Sequence, residues 1–368
     1  MRKDKLRTKT LDKMKINTLS LLYVCSLTCT INAQEDILLK EYNPVSSYKI
    51  PITTVGKAKY PVIDMHSHPY ARSAAEIDEW VKTMDKFGIE KTTILTKQTG
   101  KVFDSIFKAY AKYPNRFEIW CGIDFSGYSE KGWDKKVVKE LERCFKIGAK
   151  GVGEISDKGL GISNSKSSPK YVMHIDDERL QPFLQRCGEL GMPINVHVAD
   201  PYWMYLPIDS NNDGLMNAKT WRIDQSKENI LLHQELINTL ENAVRKNPET
   251  TFIACHFANC SHDLSILSNL LDSYPNLYAD IAARYAETAP VPRYTKAFYE
   301  NNQDKLLYGT DMGFEASMYE TTFRILETQD EHFYEKDLFN YHWPLNGLGL
   351  SDTVLRKLYF ENAKKIMD

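Results

Sequence analysis

Two histidines separated by a single residue stand in the segment Val62-Ile-Asp-Met-His66-Ser-His68. The apolar residues before them predict a strand, and residues two positions apart on a strand project to the same side, about 7 Å apart. Both imidazoles can therefore reach one metal ion. Alone the pair is a weak signal, because short motifs of this kind also arise by chance or for structural reasons.

Four further side chains able to bind a metal occur in later strand-like segments. They are Glu154 in residues 151–155, His197 in 194–198, His256 in 253–257 and Asp311 in 307–311. Any one of them has an ordinary structural explanation, such as capping a helix or a hydrogen bond in the core. The recurrence of such residues at strand ends favours a shared metal centre.

Eight short apolar runs predict the strands that would position these residues. They cover residues 60–66, 91–96, 117–125, 151–155, 193–198, 251–256, 277–281 and 305–309. A helical pattern follows most of them. From Ala75 to Phe87, for example, apolar residues recur at helical spacing, and Gly88 then ends the helix. Repeated βα units predict parallel strands with right-handed crossovers.

Eight such units predict one α/β domain, a single (β/α)8 TIM barrel. An open doubly wound sheet would carry a glycine-rich turn after its first strand, whereas His66-Ser-His-Pro69 contains no glycine. Because a barrel gathers the carboxyl ends of its strands at one mouth, the five motifs are expected to meet there. Long loops are predicted after strands 4, 5 and 8, at residues 156–175, 200–225 and 312–349.

Residues 1–33 are predicted to be a cleaved export signal. Seven basic residues precede an apolar run at 19–27, which is too short to span a bilayer, and Ala33 offers a cleavage position. Translation could start at Met1 or Met14. Cys25 and Cys29 lack the preceding small residues of a lipid-anchoring site, so periplasmic or secreted protein is favoured over a lipoprotein. Residues 34–58 then form an N-terminal extension and 59–368 the barrel.

The composition is that of a globular protein, since 42% of the 368 residues are hydrophobic and 26% are charged. The formal charge is −2, and it becomes −7 without residues 1–33, which leaves 40 basic against 47 acidic side chains. Such a chain lacks the positive field that holds nucleic acid, so a small-molecule substrate is expected and a nucleic-acid partner is not. The oligomeric state stays open.

Five cysteines follow residue 33, and their odd number and spacing favour buried small side chains over disulfides or a zinc site. They are Cys121, Cys144, Cys187, Cys255 and Cys260.

The ordered motifs resemble the amidohydrolase superfamily of metal-dependent barrels, and most closely its amidohydrolase-2 branch. The resemblance rests on Val62–His68, His197, His256, Gly309-Thr-Asp311 and the closing Leu358-Tyr-Phe-Glu-Asn-Ala363. It implies that His66, His68, His197 and Asp311 bind a divalent metal, commonly zinc, with manganese or iron as alternatives. His256 is implied to be a ligand of a second metal or an acid/base beside a single one.

Many members of that branch carry no glutamate at the position of Glu154. Related two-metal barrels use a glutamate or a modified lysine on strand 4 to bridge the ions, so Glu154 raises the possibility of two metals. A carbamylated lysine is not available at this position, because Lys150 lies at the other end of the strand.

Residues of the predicted mouth loops are weaker candidates for substrate binding. Arg284 could pair with a substrate carboxylate, although a structural salt bridge explains it equally well. Tyr202, Trp203, Trp221 and Arg222 lie in the loop after strand 5 and could contact the ligand, or simply pack the loop. The segment from Asp209 to Gly214 resembles the start of a calcium loop, but Thr220 replaces the twelfth-position glutamate, which favours a turn.

The leading hypothesis is a metal-dependent hydrolase that activates water to cleave a C–O or C–N bond of an ester, lactone or amide. In this scheme Asp311 transfers the proton and His256 stabilises charge on the carbonyl oxygen. A non-oxidative decarboxylase or lyase on the same metal site is the alternative within enzymes. A catalytically inert barrel that binds a ligand is the alternative of another class.

Overall fold

The protein is described here from a computed structural model that covers residues 37–162 and 172–367. The export signal predicted at residues 1–33 lies outside these ranges. Contacts divide the chain into two units, Met1–Tyr42 and Asn43–Asp368. The described part of the first unit contains the short 3₁₀-helix Leu39–Glu41. Within the described ranges, every helix is too short or too polar to cross a membrane.

The described residues of the second unit form eight strands, each at one of the predicted positions. They are β1 Val62–Ser67, β2 Ile89–Leu95, β3 Phe117–Trp120, β4 Val152–Asp157, β5 Ile194–Val198, β6 Phe252–Ala254, β7 Leu277–Asp280 and β8 Leu306–Leu307. All neighbouring strands pair in parallel, in the orders β1-β2-β3 and β4-β5-β6-β7-β8.

Backbone hydrogen bonds join these two sheets into a closed barrel. Cys121 N donates to Gly151 O at 3.0 Å and Gly153 N donates to Cys121 O at 2.8 Å, which connects β3 to β4. Met65 N donates to Tyr308 O at 2.9 Å, which connects β1 to the residue after β8. The predicted (β/α)8 barrel is confirmed.

Helices follow the strands around the barrel. They are α1 Ala74–Phe87, α2 Gly100–Tyr110, α3 Trp133–Ile147, α4 Gln181–Glu189, α5 Leu215–Trp221, α6 His233–Lys246, α7 Leu264–Ser273, α8 Tyr285–Thr288, α9 Pro292–Asn301, α10 Ala316–Glu327, α11 Lys336–Phe339, α12 Asp352–Arg356 and α13 Asn362–Met367. Helix α1 shows how the sequence sets such an element. Ser73 and Glu76 form a capping box at its start, and Gly88 ends it with a φ of 80°.

The ends of several elements differ from the sequence prediction. β6 ends at Ala254 because the following residues, from His256 to Asn259, have φ values of 52–58°, which no strand can accommodate. The predicted loop at 200–225 contains the 3₁₀-helix Tyr202–Tyr205 and α5, and that at 312–349 contains α10 and α11.

The segment from Asp209 to Gly214, whose sequence favoured a turn over a calcium loop, forms an Asx-rich turn. Asn211 N donates to Asp209 Oδ1 at 2.8 Å, and Gly214 N donates to Asn212 Oδ1 at 2.9 Å. Side-chain oxygens in this segment therefore close turns of the backbone.

Asp64 is a buried polar group of β1 with several hydrogen-bond partners. Fully buried Asp64 accepts hydrogen bonds from Thr310 Oγ1 at 2.6 Å and from the Thr310 and His66 amides at 3.1 Å. Burial raises the pKa of this carboxyl to about 7. Asp64 thereby connects β1 to the segment that carries Asp311. The five cysteines after residue 33 are buried free thiols.

His174 forms an ion pair that the sequence did not indicate. Its Nδ1 lies 2.7 Å from Oδ2 of Asp157, whose side chain is 1% exposed. Burial alone would lower the pKa of His174, but Asp157 outweighs this effect and raises it.

We expect His174→Gln to lower the free energy of unfolding by about 1 kcal/mol in mildly acidic solution. Because the folded-state pKa is raised, the stabilisation is complete below the unfolded pKa of about 6.5 and is lost as the pH rises through the folded value. Urea unfolding at about pH 5.5 and about pH 8.5 checks this expectation. A loss of unfolding free energy of equal size at the two pH values would contradict it. Asp157→Asn removes the partner of His174 and should show the same pH dependence.

Candidate metal centre

Six side chains singled out in the sequence meet at the carboxyl end of the barrel. His66 lies on β1 and His68 directly follows it, Glu154 lies on β4, and His197 lies on β5. His256 and Asp311 follow β6 and β8. All six come from strand ends, as the barrel topology requires.

Two carboxylates lie between the four imidazoles of this group. His68 Nε2 is 3.1 Å from Asp311 Oδ1 and 3.3 Å from Glu154 Oε2. His197 Nδ1 is 2.5 Å from Glu154 Oε1. His256 Nε2 is 3.7 Å from Asp311 Oδ2 and 3.8 Å from Glu154 Oε1, and His66 Nε2 is 3.8 Å from Asp311 Oδ1. We call these six residues the histidine–carboxylate cluster.

The other ring nitrogen of each histidine has an acceptor outside the cluster. His66 Nδ1 donates to Asp280 Oδ2 at 2.8 Å, His68 Nδ1 to Leu95 O at 2.8 Å, His197 Nε2 to Ala199 O at 3.0 Å and His256 Nδ1 to Ala282 O at 2.9 Å. A carbonyl or ionised carboxylate can only accept, so these nitrogens carry the protons. In a neutral imidazole the remaining nitrogen then directs a lone pair towards the carboxylates, as in metal sites.

The donor set fits a divalent metal. Lone pairs and carboxylate oxygens that face one another need a proton or a cation between them. The buried Nε2 of His66 has no hydrogen-bond partner within the described residues. Two groups of three side chains each bring one donor atom per residue within 4.8 Å of one another. The groups are His66, His68 and Asp311, and His66, Glu154 and His256. Imidazole nitrogen and carboxylate oxygen are ligands that zinc, manganese and iron accept.

The charges of the cluster are balanced by protons when it holds no cation. Burial alone would lower the pKa of His68, but Asp311 and Glu154 raise it to about 9. Burial opposes ionisation of Asp311 and Glu154, but their histidine neighbours hold the pKa of both carboxyls below the usual range. Burial lowers the pKa of His256 to about 4, helped by Arg284. A metal that binds here would displace protons from the other histidines.

The segment after β6 owes its shape to bonds with residues of β5 and β7 and of the loop after β7. His256 N donates to Asp280 Oδ1 at 2.8 Å, and Asn259 Nδ2 donates to Val198 O at 3.0 Å. Arg284 donates to Asn259 Oδ1 from Nε at 2.9 Å and from Nη2 at 2.6 Å. These bonds hold four consecutive residues in the left-handed region, a strained conformation that is often found at functional sites.

Three residues around the cluster were missed in the sequence. Asp280, at the end of β7, accepts from His66, from the amides of His256 and Ala282, and from Asn195 Nδ2. Lys97 Nζ lies 2.6 Å from Glu154 Oε2, and the Tyr70 hydroxyl donates to Asp311 Oδ1 at 3.0 Å. Asp280 occupies the same strand-end position as the recognised residues, which is the signal that could have identified it.

The predicted substrate-binding residues contact other parts of the mouth. Arg284 follows β7 and lies 3.6 Å from Glu287 in addition to its bonds with Asn259. Tyr202 stacks on His262 at a centroid distance of 4.3 Å, and Trp203 meets the edge of Tyr341 at 6.2 Å. Trp221 is 60% exposed at the end of α5, and Arg222 directly follows it. Their contact with a substrate stays a prediction.

Comparison with known proteins supports the resemblance suggested by the motifs. A family model described as "Amidohydrolase" (Amidohydro_2) matches residues 63–368. The chain belongs to the amidohydrolase-2 family. It is therefore a member of an enzyme family, and the donor atoms of its histidine–carboxylate cluster lie close enough together to hold a divalent metal. None of the curated proteins compared with the chain matches it.

Solved structures similar to this chain share its barrel. 2,6-Dihydroxybenzoate decarboxylase from Rhizobium has 16% sequence identity and a TM-score of 0.51, with 84% of this chain and 98% of that chain covered. A TIM-barrel protein from Bordetella bronchiseptica has 14% identity and a TM-score of 0.54, with 83% and 98% covered. Dihydroxybenzoic acid decarboxylase from Polaromonas, with bound manganese, has 16% identity and a TM-score of 0.51, with 84% and 97% covered. At these identities the likeness shows the fold alone.

Proposed function

We propose that the protein is a metal-dependent hydrolase that cleaves an ester, lactone or amide bond of a small molecule. The position of Glu154 is the observation that carries the proposal. Its Oε1 faces His197 and His256, whereas its Oε2 faces His68. One carboxylate thus contacts histidines on both sides of the cluster, which suits a bridge between two ions.

In this proposal His66, His68 and Asp311 would hold one divalent ion, His197 and His256 would hold a second, and Glu154 would contribute to both. Zinc is the proposed metal, with manganese or iron as alternatives, because all three accept this donor set. Such ions supply Lewis-acid chemistry, since they polarise the bond under attack and make water a stronger nucleophile at neutral pH.

The chain itself supplies the groups that move and direct protons. Asp311 is placed to accept a proton from the attacking water and to pass it to the leaving group. The single hydroxyl proton of Tyr70 is shared between Asp311 Oδ1 and the Asp311 backbone carbonyl, each 3.0 Å from the hydroxyl oxygen, which helps to orient the carboxylate. His256 presents a lone pair at Nε2 and is neutral at pH 7, which favours the role of ligand over that of proton donor.

A decarboxylase on the same residues is the competing reaction. It would deliver a proton to carbon after loss of CO2 and would not consume water. The two decarboxylases described above are similar to this chain in fold alone. The contacts of Glu154 with histidines on both sides of the cluster support the choice of hydrolysis in our proposal.

Metal analysis of the purified protein tests the premise. We expect two ions per chain in the wild type, and about one in Glu154→Gln, because the amide keeps the size of the side chain but cannot bridge as a carboxylate. A matched variant, Glu189→Gln, alters a 62% exposed carboxylate on α4 and should keep the wild-type metal content. A single ion in the wild type would contradict the two-metal arrangement.

Product analysis tests the reaction. The metal-loaded protein is offered lactones, esters, amides and aromatic acids, and the formation of new acid groups is compared with the release of CO2. We expect acid formation that chelators abolish and added metal restores. Release of CO2 without hydrolysis would overturn the proposal in favour of the decarboxylase.

A further inference from the structure

Lys97 places a positive charge beside the histidine–carboxylate cluster, two residues after β2. Its Nζ lies 2.6 Å from Glu154 Oε2, the oxygen that also faces His68 Nε2 at 3.3 Å. The Lys97 side chain is 37% exposed, whereas that of Glu154 is 3% exposed. The ammonium group therefore reaches from the open side of the barrel to the buried carboxylate.

Neighbouring strands hold the backbone of Lys97 in place. Its φ of 58° lies in the left-handed region, which is unfavourable for a lysine and must be maintained by the surrounding structure. Lys97 N donates to Gly153 O at 3.0 Å. A Cβ atom on Gly122 would lie 2.3 Å from the carbonyl carbon of Lys97, so only glycine fits there. β3 and β4 thus contribute to the position of this one lysine.

A cavity of about 170 Å³ adjoins Lys97. Its polar lining includes Lys97, Glu154 and Ser156, and its apolar lining includes Ile123, Phe125 and Ile155. Glu154 is the only carboxylate among the described residues that line it. A larger cleft of about 540 Å³ shares Lys97, Ile123 and Phe125 with the cavity, which gives a small molecule a path to the cluster.

We propose that Lys97 binds a carboxylate of the substrate in this cavity, which makes small carboxylic acids with a hydrolysable group the substrate class. The inference rests on the proposed function. If Glu154 were shared with cations, the Lys97 ammonium would lose part of its pairing with that carboxylate and would be available to pair with another anion. A substrate carboxylate can be that anion, and the side chains of Ile123 and Phe125 can contact the hydrocarbon part.

Calorimetric binding of succinate and its monoamide succinamate to the metal-loaded protein tests this subsite. Each molecule has one carboxylate that could bind the metals. Only succinate has a second carboxylate, which could pair with Lys97. We expect the wild type to prefer succinate by about 10-fold or more, and Lys97→Met to abolish the preference, because a hydrogen bond to a charged group contributes about 1.5–3 kcal/mol. Equal binding of the two molecules by the wild type would overturn the proposal.

The controls separate this subsite from general charge effects. Lys158→Met removes another lysine near the mouth, which pairs with Asp200 at 2.8 Å, and should keep the preference for succinate. Lys97→Met should keep the wild-type metal content, and Lys97→Gln serves as a second variant if the first does not fold. A preference that persists in both Lys97 variants would refute the subsite. A preference that depends on Lys97 in a protein without hydrolase activity would refute only the proposed reaction.

Discussion

Replacing Asp311 with asparagine is expected to lower kcat for hydrolysis about 10³-fold. The asparagine keeps the shape of the side chain but cannot accept a proton from water at neutral pH. Asp311 Oδ1 also lies 3.1 Å from His68 Nε2, and Oδ2 lies 3.7 Å from His256 Nε2, so the substitution removes charge from the centre of the cluster. Steady-state kinetics of the metal-saturated variant, with metal content measured on the same sample, checks the expectation.

Tyr70→Phe provides the graded comparison for Asp311→Asn. It removes the hydroxyl that donates to Asp311 but leaves the carboxylate and its charge, so we expect a fall in kcat of about 10-fold. Asp85→Asn on α1 changes a carboxylate that is 64% exposed and should leave kcat unchanged. Substantial activity in metal-saturated Asp311→Asn would show that another group moves the proton.

The sequence predicts the six cluster residues because the barrel makes their meeting place a matter of topology. His66 and Asp311 are far apart in the chain, yet each ends a strand, and parallel strands of a barrel end at one mouth. The positions of all eight strands are predictable because each strand is largely buried in the barrel wall and is therefore a run of apolar residues. Element ends are less predictable, since they depend on contacts made by distant residues.

The segment from His256 to Asn259 shows where sequence reasoning stops. It contains no glycine, so nothing in it signals a left-handed backbone. Its shape comes from Asp280, Val198 and Arg284, which lie on other strands or beyond them. Lys97 was missed for a similar reason, because only the structure shows its ammonium beside Glu154.

Asp280→Asn is expected to reduce metal affinity about 10- to 100-fold. Asp280 accepts from His66 Nδ1 and so leaves the lone pair of Nε2 directed into the cluster. An asparagine whose NH2 group faces His66 would donate a hydrogen bond to Nδ1. The ring proton of His66 would then lie on Nε2, which could no longer bind a metal. In that orientation the NH2 group would also face Asn195 Nδ2, a donor that bonds to Asp280 Oδ2 at 3.1 Å, so the free energy of unfolding should fall by about 1–3 kcal/mol.

Asp64→Asn is the matched control for this effect, because Asp64 is equally buried and lies on the same strand as His66. Its carboxylate accepts from the His66 amide and from Thr310, and none of its hydrogen bonds in the described part of the chain involves an imidazole ring. Urea unfolding and metal competition with a chelator should therefore show reduced stability in both variants, but a large loss of metal affinity only in Asp280→Asn. An equal loss of affinity in both would mean that general loosening of the barrel, rather than the tautomer of His66, controls metal binding.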